Sequence, residues 1–354
     1  MNFNKCDKIK VSVVAPCYNE ELTILELLRR ITEVCRDVVC ENYEIILVDD
    51  GSTDATWQIL SDFSSRDSHV VSVKLHRNHG HQLAVTAGLA VARGERVLLI
   101  DADLQDPPEL LRDMMAVMDH GADVVYGVRK ERKGESKFKL LTAWMFYKIL
   151  DMLSSTPIPR DTGDFRLMNR NIVDVLTAMP EHHRFIRGMV SWIGGNQVPL
   201  YYDRDARFAG VTKYPLSKMI RFALDAITGF STVPLRLATW LGVIAAGVAV
   251  LVSIYAVYRW LTNDIVPGWA STLIVSAFLS GTQLVVLGII GEYLGRLVEE
   301  AKGRPLFMIG AITIKGVSYS VPMNFSELSA NDRLKCLQNI MQEIPAEMNN
   351  DYVS

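Results

Sequence analysis

The first hundred residues alternate between short, unbroken apolar runs and longer stretches whose apolar residues recur at helical spacing. Residues 10–15 read as a buried strand, and residues 21–34, with Leu22, Leu25, Leu28 and Ile31 on one side, read as a helix. The alternation returns as a strand at 43–48, a helix at 54–63, a strand at 70–75, a helix at 82–91 and a strand at 96–100. This repetition predicts an α/β fold with a mostly parallel, doubly wound sheet. Ligands of such sheets sit beyond the carboxyl ends of the strands, so the loops at 16–20, 49–54 and 101–106 are expected to converge.

Farther along, the pattern changes. Residues 237–258 carry no formal charge and are bounded by Arg236 and Arg259; residues 265–291 are equally uncharged, between Asp264 and Glu292. Each run exceeds the roughly 20 residues that a helix needs to cross a bilayer core. Neither shows the polar face of a helix packed in a soluble domain, so two membrane spans are predicted. Lys213, Lys218, Arg221 and Arg236 precede the first run and Arg296, Lys302 and Arg304 follow the second, while the connection holds only Arg259 and Asp264. That bias orients both termini toward the cytoplasm. Residues 215–231 pair an apolar face (Leu216, Met219, Ile220, Leu224) with Lys218 and Arg221, a pattern suited to a helix lying on a membrane surface or to an ordinary soluble-domain helix. The expected organisation is a catalytic domain over 1–210, an interfacial region over 211–234, two spans over 235–296 and a cytoplasmic tail over 297–354. Within the tail, 311–321 is strand-like and 326–343 is a polar helical stretch; neither carries recognisable chemistry.

Composition narrows the partners. The chain has 354 residues, 49% hydrophobic and 22% charged, and its net charge of −3 offers nucleic acid no global attraction. Five cysteines, odd in number and without a C-x-x-C pair, argue against a disulfide framework or a zinc site and for reduced, cytosol-facing thiols. The polar first ten residues contain no signal-peptide-like stretch, which keeps the first domain on the cytoplasmic side.

Chemistry is densest at Asp101-Ala102-Asp103-Leu104-Gln105-Asp106-Pro107-Pro108, at the end of an apolar strand. Two carboxylates one residue apart at a strand end suit a hard cation, Mg²⁺ or Mn²⁺, holding a diphosphate. At the neighbouring strand ends Asp50 is placed to accept hydrogen bonds from a base or ribose, and Tyr18 to pack on a uracil ring. Ser52 and Asp54 read as helix caps.

Three segments in this order, V-S-V-V-A-P-C-Y-N-E-E, I-I-L-V-D-D-G-S-T-D and L-I-D-A-D-L-Q-D-P-P, resemble the family 2 glycosyltransferases with their nucleotide-binding GT-A fold, which implies a doubly wound mixed sheet. Arg77-Asn78-His79-Gly80, Gly127-Val128-Arg129, the run from Asp161 to Leu167, and Gly210-Val211-Thr212-Lys213-Tyr214 look like the polyprenyl-phosphate branch. That branch includes dolichyl-phosphate mannosyltransferases and bactoprenol glucosyltransferases. The two apolar runs and Gly291-Glu292-Tyr293-Leu294-Gly295-Arg296 look closest to the latter, which work as tetramers. The resemblance implies an inverting transferase with Mg²⁺ or Mn²⁺, a nucleotide-sugar donor, a polyprenyl phosphate acceptor, an inner-membrane location and a homo-oligomeric, tetrameric state. It implies that Pro16, Tyr18, Glu20 and Asp50 hold the nucleoside. Asp101, Ala102, Asp103 and Gln105 would line the diphosphate, metal and sugar, with Asp101 and Asp103 as metal ligands and Asp103 the more direct. Arg129, Arg207 and Lys213 would bring positive charge to the acceptor phosphate or departing diphosphate, and Asp164 would face the reacting centre.

The family pattern varies at residues 77–81, so His79 and His81 read as variation or loop packing rather than as catalytic bases. A processive synthase is disfavoured because the nearest match to Q-x-x-R-W, at 256–260, lacks the glutamine. A non-catalytic scaffold is disfavoured because Asp50, Asp101 and Asp103 are all present. The resemblance favours glucose from UDP-glucose, with galactose, N-acetylhexosamines, mannose from GDP-mannose and a modified arabinose left open.

Overall fold

The computed structural model describes residues 9–130, 162–203, 231–262, 268–321, 324–329, 332–333 and 335–336. Arg207, Lys213 and nearly all of the amphipathic segment at 215–231 lie outside them, as does most of the polar stretch at 326–343. The chain divides into two compact units, one built on the sheet and one holding the two long apolar helices.

In the first unit, β1 (Val11–Cys17), β2 (Tyr43–Asp49), β3 (Val70–Leu75) and β4 (Arg96–Leu99) run parallel, with α1 (Ile24–Val39), α2 (Thr56–Arg66) and α3 (His81–Val91) as crossovers. Every residue of β1 and β2 is buried, as expected of strands covered on both faces. A 3₁₀ turn at Pro108–Leu110 leads into α4 (Leu111–Asp119) and β5 (Val124–Arg129). Next come β6 (Thr162–Asn169), α5 (Arg170–Ala178), α6 (Ile186–Ile193) and β7 (Gln197–Tyr202). β8 (Ile309–Ile314) and β9 (Val317–Tyr319) complete a nine-stranded sheet ordered β7-β5-β6-β4-β1-β2-β3-β8-β9. The sheet is mixed, as the resemblance to the GT-A fold implies, and less parallel than the strand–helix alternation alone predicts: β6 is antiparallel to both β4 and β5, and β8 is antiparallel to β3.

Two sequence expectations shift. The buried stripe of α1 is Ile24, Leu27, Leu28, Ile31, Val34 and Cys35, while Leu22 and Leu25 are 72% and 51% exposed. The helix starts only at Ile24, and the denser i, i+3, i+4 set then wins the core face. The strand-like tail is also no separate appendage, because β8 pairs along β3 and His76 N donates to Met308 O at 3.0 Å. A central apolar strand such as β3 cannot leave its backbone groups open at an edge, and a return strand carrying Ile309, Ile312 and Ile314 satisfies them while burying its own side chains. On the other side of the sheet core, α3 lies so near β1 and β2 that a Cβ on Gly88 would stand 2.4 Å from Val14 Cγ1.

The second unit contains α7 (Val233–Leu261) and α8 (Trp269–Ala301), of 29 and 33 residues, which pack on each other. Both are long and apolar enough to cross a membrane, and their large apolar side chains are mostly exposed. The second helix continues past the uncharged run, which ends at 291, and past the span boundary expected at 296, to Ala301. Its last turns are built from good helix formers, with Arg296 Nε 3.6 Å from Glu292 Oε1 one turn back.

Candidate active site

The loops after β1 and β2 are knotted together. Asn19, at φ +56°, donates its backbone N–H to Ser52 Oγ (3.0 Å), and its side-chain oxygen accepts from Thr53 N (2.9 Å). Glu20 N donates to Thr56 Oγ1 at 2.9 Å, and Asp50 N donates to Cys17 O at 2.9 Å. Ser52 therefore joins the two loops instead of capping α2, whereas Asp54 does accept from Thr56 N at 3.0 Å. Gly51, at φ +70°, has no room for a Cβ, which would stand 2.7 Å from Asn78 N. The knot leaves the Tyr18 ring 43% exposed at the cleft margin, with Pro16 buried inside β1 and the Glu20 carboxylate accepting from Thr23 Oγ1 at 2.9 Å.

Asp50 is buried, and its two oxygens accept from the backbone N–H groups of His79 (2.7 Å) and Gly80 (2.9 Å). Burial raises its pKa against the pull of those donors. Its visible work is to fix the 76–80 loop, which delivers His81 at the start of α3.

The antiparallel register of β4 on β6 pairs Leu99 with Arg166. Continued by two residues past the strand end, that register brings Asp101 opposite Asp164. Between them stands His81, whose Nε2 lies 3.5 Å from Asp101 Oδ1 and 3.5 Å from Asp164 Oδ2. Burial alone would depress the imidazole, but Asp101, Asp164 and Asp50 outweigh it and lift its pKa to about 9. Asp101 is pushed up to about 6, by burial first and by Asp164, Asp106 and Asp103 next, against the opposing pull of His81. Asp164 behaves in the opposite way. Burial would raise it, but Arg187, His81 and Arg166 hold it far below the usual carboxylate range. Arg187 Nη2 is 3.5 Å and Arg166 Nη2 3.7 Å from Asp164 Oδ1, while Gln82 Nε2 donates to Oδ2 at 2.9 Å.

Along the same edge Asp103 Oδ1 accepts from Gln105 N at 3.2 Å, Ala102 is buried, and Leu104 takes φ +59° to turn the loop. Tyr202, at the end of β7, donates its hydroxyl to Asp106. Arg129, at the end of β5, is held charged chiefly by Asp106 and Tyr202 against burial that works the other way. The side chains at the sheet's carboxyl edge thus alternate in sign.

This donor set fits a hard divalent cation. Asp101 Oδ1 is buried with no hydrogen-bond partner, Asp103 and Asp106 follow it on the same loop, and the His81 imidazole beside it stands at 3.5 Å, beyond hydrogen-bonding distance for that oxygen. Among the described residues no group of three or more His, Cys, Asp or Glu side chains forms a ready-made cage. A cation there would need oxygens from elsewhere, such as a bound diphosphate.

Of the residues singled out from sequence, Asp101, Asp103, Asp164 and Arg129 come to this edge, Tyr18 and Asp50 belong to the adjoining loops, and Arg207 and Lys213 are outside the described residues. His81, Gln82, Arg187 and Tyr202 were not anticipated. His81 does more than pack the loop, because its imidazole stands between two carboxylates. Its partners are 20 and 83 positions away along the chain, and only the β4–β6 register brings them together.

A mixed α/β sheet with knotted loops after β1 and β2 and an acidic, arginine-flanked carboxyl edge has the GT-A form of the nucleotide-diphospho-sugar transferases. The family model described as glycosyl transferase family 2 matches residues 12–177. An uncharacterized glycosyltransferase of Bacillus subtilis (strain 168), YkcC, is 46% identical over 302 residues, covering 85% of this chain and 93% of that protein. The bactoprenol glucosyl transferase of Shigella phage SfII is 37% identical, covering 85% of this chain and 97% of its own. The solved mannosyl-3-phosphoglycerate synthase from Rubrobacter xylanophilus is 20% identical over 62% of this chain and 72% of its own, with a TM-score of 0.45. The chain belongs to glycosyl transferase family 2.

Proposed function

We propose that this glycosyltransferase moves a sugar, glucose from UDP-glucose in the preferred reading, onto undecaprenyl phosphate or a related polyprenyl phosphate at the cytoplasmic face of a membrane. The observation that carries the proposal is the 37% identity extending over 97% of a bactoprenol glucosyl transferase. The two helices, long and apolar enough to lie in lipid, support it, because the acceptor's hydrocarbon also resides there. The interfacial segment expected at 211–234 and the spans expected at 235–296 would anchor the enzyme in the bilayer that holds the acceptor, beside a catalytic domain over 1–210 in sequence.

Asp101 and Asp103 would hold Mg²⁺ or Mn²⁺, which supplies neutralisation of the donor diphosphate. Pro16, Tyr18, Glu20 and Asp50 form the nucleoside end, and Ala102 and Gln105 the wall beside diphosphate and sugar. A phosphate monoester, with a second pKa of about 6, is largely ionised near neutrality and attacks without a strong base. Asp164 agrees with that requirement: Arg187, His81 and Arg166 strip it of basicity, which suits it to orienting the reacting groups electrostatically. Arg129, with Arg207 and Lys213, supplies positive charge for the two phosphates. Direct displacement of the nucleotide inverts the anomeric carbon. By likeness to its branch the enzyme works as a homotetramer, with both termini cytoplasmic.

The test is purified full-length protein in detergent with undecaprenyl phosphate and a panel of labelled nucleotide-sugars, followed by mass analysis of the lipid. A hexosyl-phospholipid formed from UDP-glucose is the expected product. Formation of no glycolipid from any donor would end the proposal, and a product from a different donor would reassign the sugar.

A further inference from the structure

Gln82 occupies the second position of α3, and both ends of its carboxamide are engaged. Nε2 donates to Asp164 Oδ2 at 2.9 Å, and Oε1 accepts from Ile186 N at 2.8 Å. Those partners settle the amide's orientation, since a backbone N–H only donates and an ionised carboxylate only accepts. Ile186 is the first residue of α6, and the residue before it, Phe185, gives that helix no side-chain cap. The cap comes instead from Gln82, 104 positions away along the chain. One turn-forming neighbour on each side matters too. His81, immediately before Gln82, touches Asp101 and Asp164, and Arg187, immediately after Ile186, touches Asp164 Oδ1.

We infer that Gln82 is a positioning residue for the transfer reaction: its carboxamide locks the Asp164 carboxylate in one rotamer and ties the helix bearing Arg187 to the helix bearing His81. The inference rests on the functional reading above. Without the amide, the contact left to Asp164 Oδ2 among the described residues is His81, at 3.5 Å, and the α6 N-terminus loses the Gln82 bond. Asp164 then turns, and the alternation of charge that faces the reacting centre loses its register. Misplacement of a reacting constellation by about 1 Å can cost on the order of a hundredfold in rate.

Two substitutions separate the two bonds. Gln82→Glu keeps an acceptor for Ile186 N but sets an oxygen against Asp164, whereas Gln82→Met removes both bonds at similar volume. A residue that merely caps α6 would tolerate glutamate and suffer from methionine. The positioning role predicts the reverse order. Using UDP-glucose and undecaprenyl phosphate, kcat should fall about tenfold in Gln82→Met and about a hundredfold in Gln82→Glu, with the donor KM within twofold of wild type in both. Wild-type kcat in Gln82→Glu would overturn the inference, as would a loss confined to KM or a loss tracking a lowered melting temperature. A wild-type enzyme that makes no glycolipid would overturn the functional reading and this inference with it; an active wild type matched by Gln82→Glu would overturn the inference alone.

Discussion

At the amino end of the parallel strands Glu44 is buried and fully engaged. Ser12 Oγ donates to it at 2.6 Å, Arg93 N at 2.7 Å and Arg93 Nε at 2.8 Å, while Gly94 N closes back on Ser12 Oγ at 2.7 Å. At the carboxyl end of the same strands the charges stand farther apart. His81 is 3.5 Å from each of two carboxylates and 40% exposed, and a buried Asp101 oxygen has no hydrogen-bond partner. Both ends bury carboxylates beside arginines, yet they serve different purposes. Short, complete hydrogen bonding makes a carboxylate a structural pin, because nothing further can be gained by binding a ligand. Spaced, incompletely satisfied charges are held in place by the fold and retain capacity for a cation or a phosphate.

The contrast can be broken at either end. Asp103→Ala should lower glycolipid formation at least about a thousandfold, the scale expected when a group stabilising transition-state charge is removed, while the melting temperature hardly moves. Wild-type turnover by that variant would defeat the metal assignment. Chelation by EDTA should likewise stop UDP release, and excess Mg²⁺ or Mn²⁺ should restore it; undiminished release in EDTA would contradict the cation's role.

At the opposite end, Glu44→Ala should remove the buried carboxylate to which Ser12 and Arg93 donate and destabilise the protein by about 3 kcal/mol. It should do so without changing kcat per folded molecule, as read by thermal melting beside active-fraction assays. A kcat effect as large as that of Asp103→Ala would erase the distinction between the two ends. The smallest effect is expected at the cleft margin. There Tyr18→Ala should raise the donor KM roughly fivefold through loss of about 1 kcal/mol of ring packing, with kcat retained. An unchanged KM would remove Tyr18 from the nucleoside site.

The sequence carried the strand–helix alternation and the three carboxyl-end loops because each is local: an apolar run, a turn, and a pair of acids one residue apart. It also carried the two long apolar helices, whose lack of charge needs no tertiary context. What it did not carry depends on register between distant strands. Asp164 enters by family resemblance alone, and His81 reads as variation because the family pattern varies at 77–81, while the acids it meets lie far along the chain. Gln82 and Arg187 gave no signal, since a glutamine at a helix start and an arginine after an isoleucine are ordinary until β6 lies antiparallel to β4. The exposed Leu22 and Leu25 show the complementary error: Leu28 and Ile31 are buried as expected, but Leu22 precedes the helix and Leu25 falls off the face set by Ile24, Leu27, Leu28 and Ile31.

The stitching of β8 to β3 has a topological corollary. Strands that precede the two long helices and strands that follow them are hydrogen-bonded into a single sheet, so any compartment boundary that the intervening chain crosses must be crossed back. Whatever bilayer it meets, it traverses an even number of times, a parity imposed by backbone hydrogen bonds and independent of any count of flanking lysines and arginines.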